Sequence, residues 1–127
     1  MWRAMGADEP IAAMAKRSGP PVFAYRFDWD EEPVPWNDVY GAAHAFDLPF
    51  VFGNFSPSVF SRASFSSANA PGRQALSGAM MNAIGAFARR GDPNDASLGV
   101  NWAPWPARLI FDASPTSLQI STQSGAQ

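Results

Sequence analysis

The run Val22-Phe23-Ala24-Tyr25-Arg26-Phe27 constrains this 127-residue chain more than any other segment. It is short, rich in strand formers and almost wholly apolar, so it reads as a strand that is apolar on both sides, the kind found inside a parallel sheet. A short helix is expected just before it. Asp8 can cap that helix, Pro10 suits its first turn, and Ile11, Met14 and Ala15 form an i, i+3, i+4 apolar edge. Lys16 and Arg17 complement the C-terminal end of the dipole, and Gly19-Pro20-Pro21 stops the helix. Helix, tight stop and doubly apolar strand together are the rhythm of an α/β protein. Yet the chain offers no obvious second parallel strand. The sequence therefore predicts apolar patches beyond the few hundred Å² usual for a monomer, with marginal stability or aggregation as the result. Only 16% of residues are charged, too few to offset that exposure.

Composition excludes several functions. Nine Lys and Arg against eleven Asp and Glu leave a net charge of -2, without the cationic stripe that non-specific nucleic-acid binding needs. The absence of cysteine removes disulfides, thiolate metal sites and a cysteine nucleophile, and it fits a reducing compartment. A single histidine, His44, rules out any site built on two imidazoles. No apolar run reaches the length of about 18 residues that would suggest a membrane span. Asp8, Glu9 and Pro10 stand where a signal peptide would need its apolar core.

After the strand, Asp28, Asp30, Glu31 and Glu32 bunch ahead of Pro33 and Pro35. A solvated acidic loop is the ordinary reading, with a cation site as the alternative. Tyr40 to Phe55 is small, aromatic and poor in charge, and a serine-rich connector follows from Ser56 to Ser67. The clearest helix opens at Asn69 or Ala70 with Pro71 in its first turn, and carries the stripe Leu76, Met80, Ile84, Phe87. Arg89 and Arg90 occupy its last turn, and Gly91 with Pro93 ends it. Arg108 to Asp112 and Ser117 to Ser121 flank the turn Ala113-Ser-Pro-Thr116 and predict an antiparallel hairpin, with residues 122–127 as a frayed tail.

His44 is the one side chain with an ordinary pKa near neutrality, and it follows the small residues Gly41, Ala42 and Ala43 in a loop downstream of the strand. By spacing alone, a structural or surface histidine is the commoner role. The string Gly41-Ala-Ala-His44-Ala-Phe-Asp47-Leu-Pro-Phe-Val-Phe-Gly53, however, closely resembles the segment around the catalytic histidine of the type B carboxylesterases, the family of cholinesterases and para-nitrobenzyl esterases. Val22 to Trp29 is similar to that family's last parallel strand. Phe87 to Asn94 is similar to its Phe-Ala…Gly-x-Pro-Asn helix end, and Trp102 to Asp112 to its closing Trp-Pro segment and strand. The resemblance runs in order from about residue 2 to residue 120.

That resemblance implies a partial α/β-hydrolase fold: the C-terminal part of the mixed sheet, with packing helices and a terminal antiparallel hairpin, across residues 1–127. It implies carboxylic-ester hydrolysis by a serine triad with His44 as the base, a small ester as substrate, and neither metal nor organic cofactor. Asp47 matches the family's structural acidic position rather than the triad acid. Phe46, Phe50, Phe52 and Phe55 are expected to pack rather than to touch substrate. The family's nucleophile elbow, Gly-x-Ser-x-Gly, is not in this sequence, nor is any Gly-Gly pair for an oxyanion loop. The expectation is thus a segment that carries the base and needs the N-terminal part of the same domain as its partner. A non-catalytic esterase-like binding module and a truncated reading frame are the competing readings.

Overall fold

The computed structural model describes residues 4–59 and 61–125. A π-helical turn at Ala4–Asp8 leads into helix α1, Glu9–Ala15. Strand β1, Tyr25–Phe27, follows, then three short helices, α2 (Trp36–Val39), α3 (Leu48–Val51) and α4 (Ser61–Ser64). The long helix α5, Ala70–Arg90, precedes a 3-10 turn at Ala96–Leu98 and strands β2 (Arg108–Ala113) and β3 (Leu118–Gln123). The sheet order is β1-β2-β3. This is a small mixed sheet with helices, part of an α/β fold.

The hairpin forms as expected, with Arg108 opposite Gln123 and Ala113 opposite Leu118. Its first strand is also the parallel partner that β1 lacked in sequence: Tyr25 pairs with Leu109, Arg26 with Ile110 and Phe27 with Phe111. Neighbours on both edges explain why Leu109, Ile110 and Phe111 are buried in succession. Thr122 and Gln123, expected in a frayed tail, belong instead to β3. Residues 126 and 127 lie outside the described residues.

Strand β1 is shorter and more open than its composition suggests. Val22 to Ala24 lie outside the strand, although the carbonyls of Val22 and Ala24 accept from the N–H groups of Trp105 (2.8 Å) and Leu109 (3.0 Å). Pro104 and Pro106 have no N–H to donate, so a regular ladder starts only where β2 does. With a neighbour on one side, Tyr25 keeps 39% of its surface exposed.

Helix α5 covers the sheet and the aromatic side chains beneath it. Leu76 and Met80 are buried as the stripe predicts, but the buried face then runs through Ala79, Ala83 and Ala86. Ile84 lies at its margin and Phe87 is 47% exposed. The small residues win because Trp29, Phe50, Trp102 and Phe111 already fill the space between helix and sheet. At the helix start the backbones nearly touch: Gly72 N–H donates to the Pro115 carbonyl at 2.9 Å, and a Cβ on Gly72 would sit 1.8 Å from the Ser114 carbonyl oxygen. At its end Gly91, with φ +74°, donates to the Phe87 carbonyl, which is the expected left-handed cap.

Asp8 does not cap α1. Its backbone is already helical, and its carboxylate accepts instead from Arg108 Nη2 at 2.6 Å, tying the first segment to β2.

Candidate active site

The loop after β1 brings His44 to the surface between α2 and α3. Gly41 (φ +50°) and Ala45 (φ +67°) both take left-handed conformations around it. Tight bonds shape the turn, from Ala43 N–H to the Gly41 carbonyl (2.7 Å) and from Phe46 N–H to the Ala43 carbonyl (3.1 Å). His44 is exposed, and it forms one wall of a pocket of about 60 Å³ shared with Trp29, Phe46, Pro49, Ser64 and Phe65.

The floor under this turn is aromatic. Phe50 of α3 is fully buried, 5.0 Å from the rings of both Phe27 and Trp29 and 5.3 Å from Phe55. Its carbonyl accepts from the Ser77 hydroxyl at 2.8 Å, which fastens α3 to α5. Phe50 packs as expected; Phe52, by contrast, stands in solvent. On α5, the Arg73 guanidinium lies against the rings of Phe65 (4.6 Å) and Phe55 (4.8 Å), and burial lowers its pKa.

Asp47 holds the turn from its other end. The Tyr25 hydroxyl donates to Asp47 Oδ2 at 2.9 Å, so the histidine turn is hooked to β1. Burial, and then this bond to a carboxylate, push the Tyr25 phenol well above its ordinary pKa. Among the described residues, no carboxylate hydrogen-bonds the His44 ring.

The acidic loop is not uniformly solvated. Asp28 pairs with Arg26 through both oxygens, at 2.5 and 2.6 Å. Glu32, in contrast, is 4% exposed and its two carboxylate oxygens have no partner, so burial raises its pKa. Glu31 and Asp112 are raised as well, by burial and then by neighbouring carboxylates. No group of three metal-ligating side chains comes together among the described residues. No described helix is long and apolar enough to cross a membrane.

Two side chains near the turn carried little sequence signal. Trp36 of α2 and Tyr40, the residue that ends the helix, stack with centroids 5.6 Å apart and planes 15° from parallel. Their four-residue spacing was the only hint.

A sequence profile of the carboxylesterase family matches residues 5–126. The chain belongs to the carboxylesterase family. It is 36% identical over 108 residues to the para-nitrobenzyl esterase of Bacillus subtilis (strain 168), covering 82% of this chain and 20% of that protein. It is 33% identical over 100 residues to the acetylcholinesterase of Gallus gallus, covering 76% and 12% respectively. A carboxylesterase of Geobacillus stearothermophilus superposes with a TM-score of 0.56 at 31% identity, over 81% of this chain and 20% of its own. The chain therefore spans about one fifth or less of the length of these relatives, and its architecture is part of an α/β-hydrolase fold. Within that architecture the histidine string forms the turn and α3, Phe87 to Asn94 forms the end of α5 and the bend beyond it, and Trp102 to Asp112 leads into and forms most of β2.

Proposed function

We propose that this chain contributes the general base to hydrolysis of carboxylic esters, with His44 as that base. The observation that carries the reading is an exposed imidazole on a turn in the long loop segment that follows a parallel strand and is hooked back to that strand by the Tyr25–Asp47 bond, in a region where α/β sheets gather their functional groups. A serine hydroxyl is a poor nucleophile at neutral pH, and the imidazole takes its proton as oxygen attacks the ester carbonyl carbon. The imidazolium then returns that proton to the departing alcohol. In the second half a water gives its proton to His44 and attacks the acyl-serine, and the imidazolium returns that proton to the departing serine oxygen, which releases the carboxylic acid and regenerates the hydroxyl.

The serine, the triad acid and the oxyanion donors come, in this reading, from an N-terminal portion of the domain, because this sequence lacks the elbow motif. The name of the Bacillus subtilis relative makes nitrobenzyl esters natural first substrates. Co-producing the chain with the N-terminal four fifths of a family member tests the proposal. Hydrolysis of 4-nitrobenzyl acetate should appear only with both parts, and His44→Ala should lower it by roughly three orders of magnitude or more. Unchanged turnover in the His44→Ala assembly would remove the histidine from the mechanism.

A further inference from the structure

Ala45, directly after His44, is the only non-glycine among the described residues with a positive φ, +67°. The Phe46 N–H donates to the Ala43 carbonyl at 3.1 Å, so His44 and Ala45 are the second and third residues of a four-residue turn. A positive φ at the third position and not at the second is the pattern of a type II turn. Glycine or asparagine normally fills that third position, because other side chains crowd the backbone there.

The fold leaves Ala45 no easier conformation. Its carbonyl accepts at 3.2 Å from the N–H of Leu48, the first residue of α3, so one residue closes the histidine turn and opens the next. Just beyond it, Asp47 is hooked to Tyr25 and Phe50 is fully buried. Contacts on both sides thus hold a backbone angle that costs an alanine folding energy. Glycine would adopt the same angle more cheaply, but it would also adopt many others. At positive φ an alanine is confined to a small region of roughly +50 to +70°, whereas glycine ranges widely. The alanine methyl group also lines the pocket together with the imidazole.

We infer that Ala45 is a positioning residue for His44. Its narrow left-handed well fixes the peptide that follows the histidine, and its methyl group closes one side of the pocket in which the imidazole stands. The turn gives up stability and gains a ring with few orientations, which proton transfer in a defined direction requires. The inference rests on His44 as the proposed base and adds a second residue to that site.

The test compares Ala45→Gly and Ala45→Ser in the 127-residue chain and in the two-part assembly. His44 is the one histidine in the sequence, so the imidazole C–H resonances belong to it alone. Ala45→Gly relieves the strained angle and should raise the melting temperature by about 2–4 °C. In the same variant the order parameter of the His44 ring should fall. Turnover of 4-nitrobenzyl acetate should drop roughly 10-fold in kcat, with KM within about twofold. A residue that only shaped the loop would move stability and turnover in the same direction. Ala45→Ser puts a Cβ back at the same φ and should recover both ring order and kcat. Ring order and kcat unchanged in Ala45→Gly would overturn the inference, as would a loss that Ala45→Ser fails to restore. A lower melting temperature for Ala45→Gly would also overturn it, because the angle would then cost nothing. The two readings fail separately. If His44→Ala leaves turnover of the assembly intact, the base is wrong, and the ring order alone decides the role of Ala45. If turnover needs His44 but ignores Ala45→Gly, the base stands and the positioning role is wrong.

Discussion

The hydroxyl of Tyr25 on β1 reaches 22 residues forward to the carboxylate of Asp47, 2.9 Å away, and thereby hooks the histidine turn onto the sheet. Sequence proximity would place Asp47 beside His44; the fold turns it toward a strand instead. Tyr25→Phe keeps the ring contacts with Trp102 and Phe111 and deletes only the hook. Partial exposure limits the cost to about 1 kcal/mol, and the loss should show as faster amide exchange at residues 43–48 with the β2–β3 hairpin unchanged. The raised Tyr25 pKa favours the neutral phenol in the folded state, so its contribution is complete below the ordinary tyrosine value and fades as pH rises above it. The difference in absorbance between wild type and Tyr25→Phe should accordingly show no tyrosinate at pH 10.5, where a free tyrosine is mostly ionised.

Two glycines on one helix should respond oppositely to alanine. Gly72 has the Ser114 carbonyl oxygen where its Cβ would go, and Gly78 has nothing within 4 Å. Gly72→Ala must push α5 off the hairpin turn and cost on the order of 2 kcal/mol or more. Gly78→Ala removes backbone freedom from the unfolded chain and should stabilise by about 0.5–1 kcal/mol. Denaturant melts of both variants check the pair, and a Gly72→Ala protein as stable as wild type would mean that α5 does not approach the hairpin so closely.

What could be read from sequence was local, and what could not was distant. Gly91 ends α5, and Arg108–Ala113 folds back onto Leu118–Gln123, because caps and tight turns are coded within a few residues. The pairing of Tyr25 with Leu109 and the bond from Arg108 to Asp8 join positions far apart, and no periodicity announces them. The buried face of α5 departs from the apolar stripe from Ile84 onward for a related reason. A stripe weighs the size of each side chain, whereas the fold had placed Trp29 and Phe50 where only alanines leave room. His44 was visible through the string around it; the Tyr25–Asp47 hook and the Trp36–Tyr40 stack beside it depend on the folded loop.

The acidic loop predicts an unusual pH profile. Glu31, Glu32 and Asp112 all have raised pKa values, chiefly through burial. For groups raised in the folded state, the stabilising contribution is complete below their ordinary values and is lost as pH climbs through the raised ones. Lowering the pH from 7 toward 5 should thus raise the melting temperature. Asp92 and Asp95, lowered by hydrogen bonds from Asn94 and Ser97 respectively, work in the opposite sense and should reverse the trend only at more acidic pH. Glu32→Gln removes the buried, unpartnered charge and should stabilise at pH 7 by on the order of 1 kcal/mol, a few degrees in Tm. The gain should shrink to nothing near pH 4. A Glu32→Gln protein that is less stable at pH 7 would mean that the carboxylate has a favourable partner in solution.

Beside β1, a groove of about 180 Å³ is lined by Phe23, Tyr25, Ile84, Phe87, Pro93 and Trp102. Phe23 meets Phe87 and Trp102 edge-on, each at 6.1 Å, so the groove is a preformed apolar surface. β1 itself has no strand paired on its side away from β2 among the described residues. An unpaired strand edge and exposed aromatic rings are each a template for association, and a chain with 16% charged residues has little to oppose it. Sedimentation of the 127-residue chain should therefore show concentration-dependent self-association. Phe87→Lys, at a position nearly half exposed, should weaken it several-fold at little cost in stability, because the charge reaches water when the groove is open. A chain that sediments as a 13.7 kDa monomer at every concentration, with Phe87→Lys making no difference, would show that the edge and groove do not attract one another.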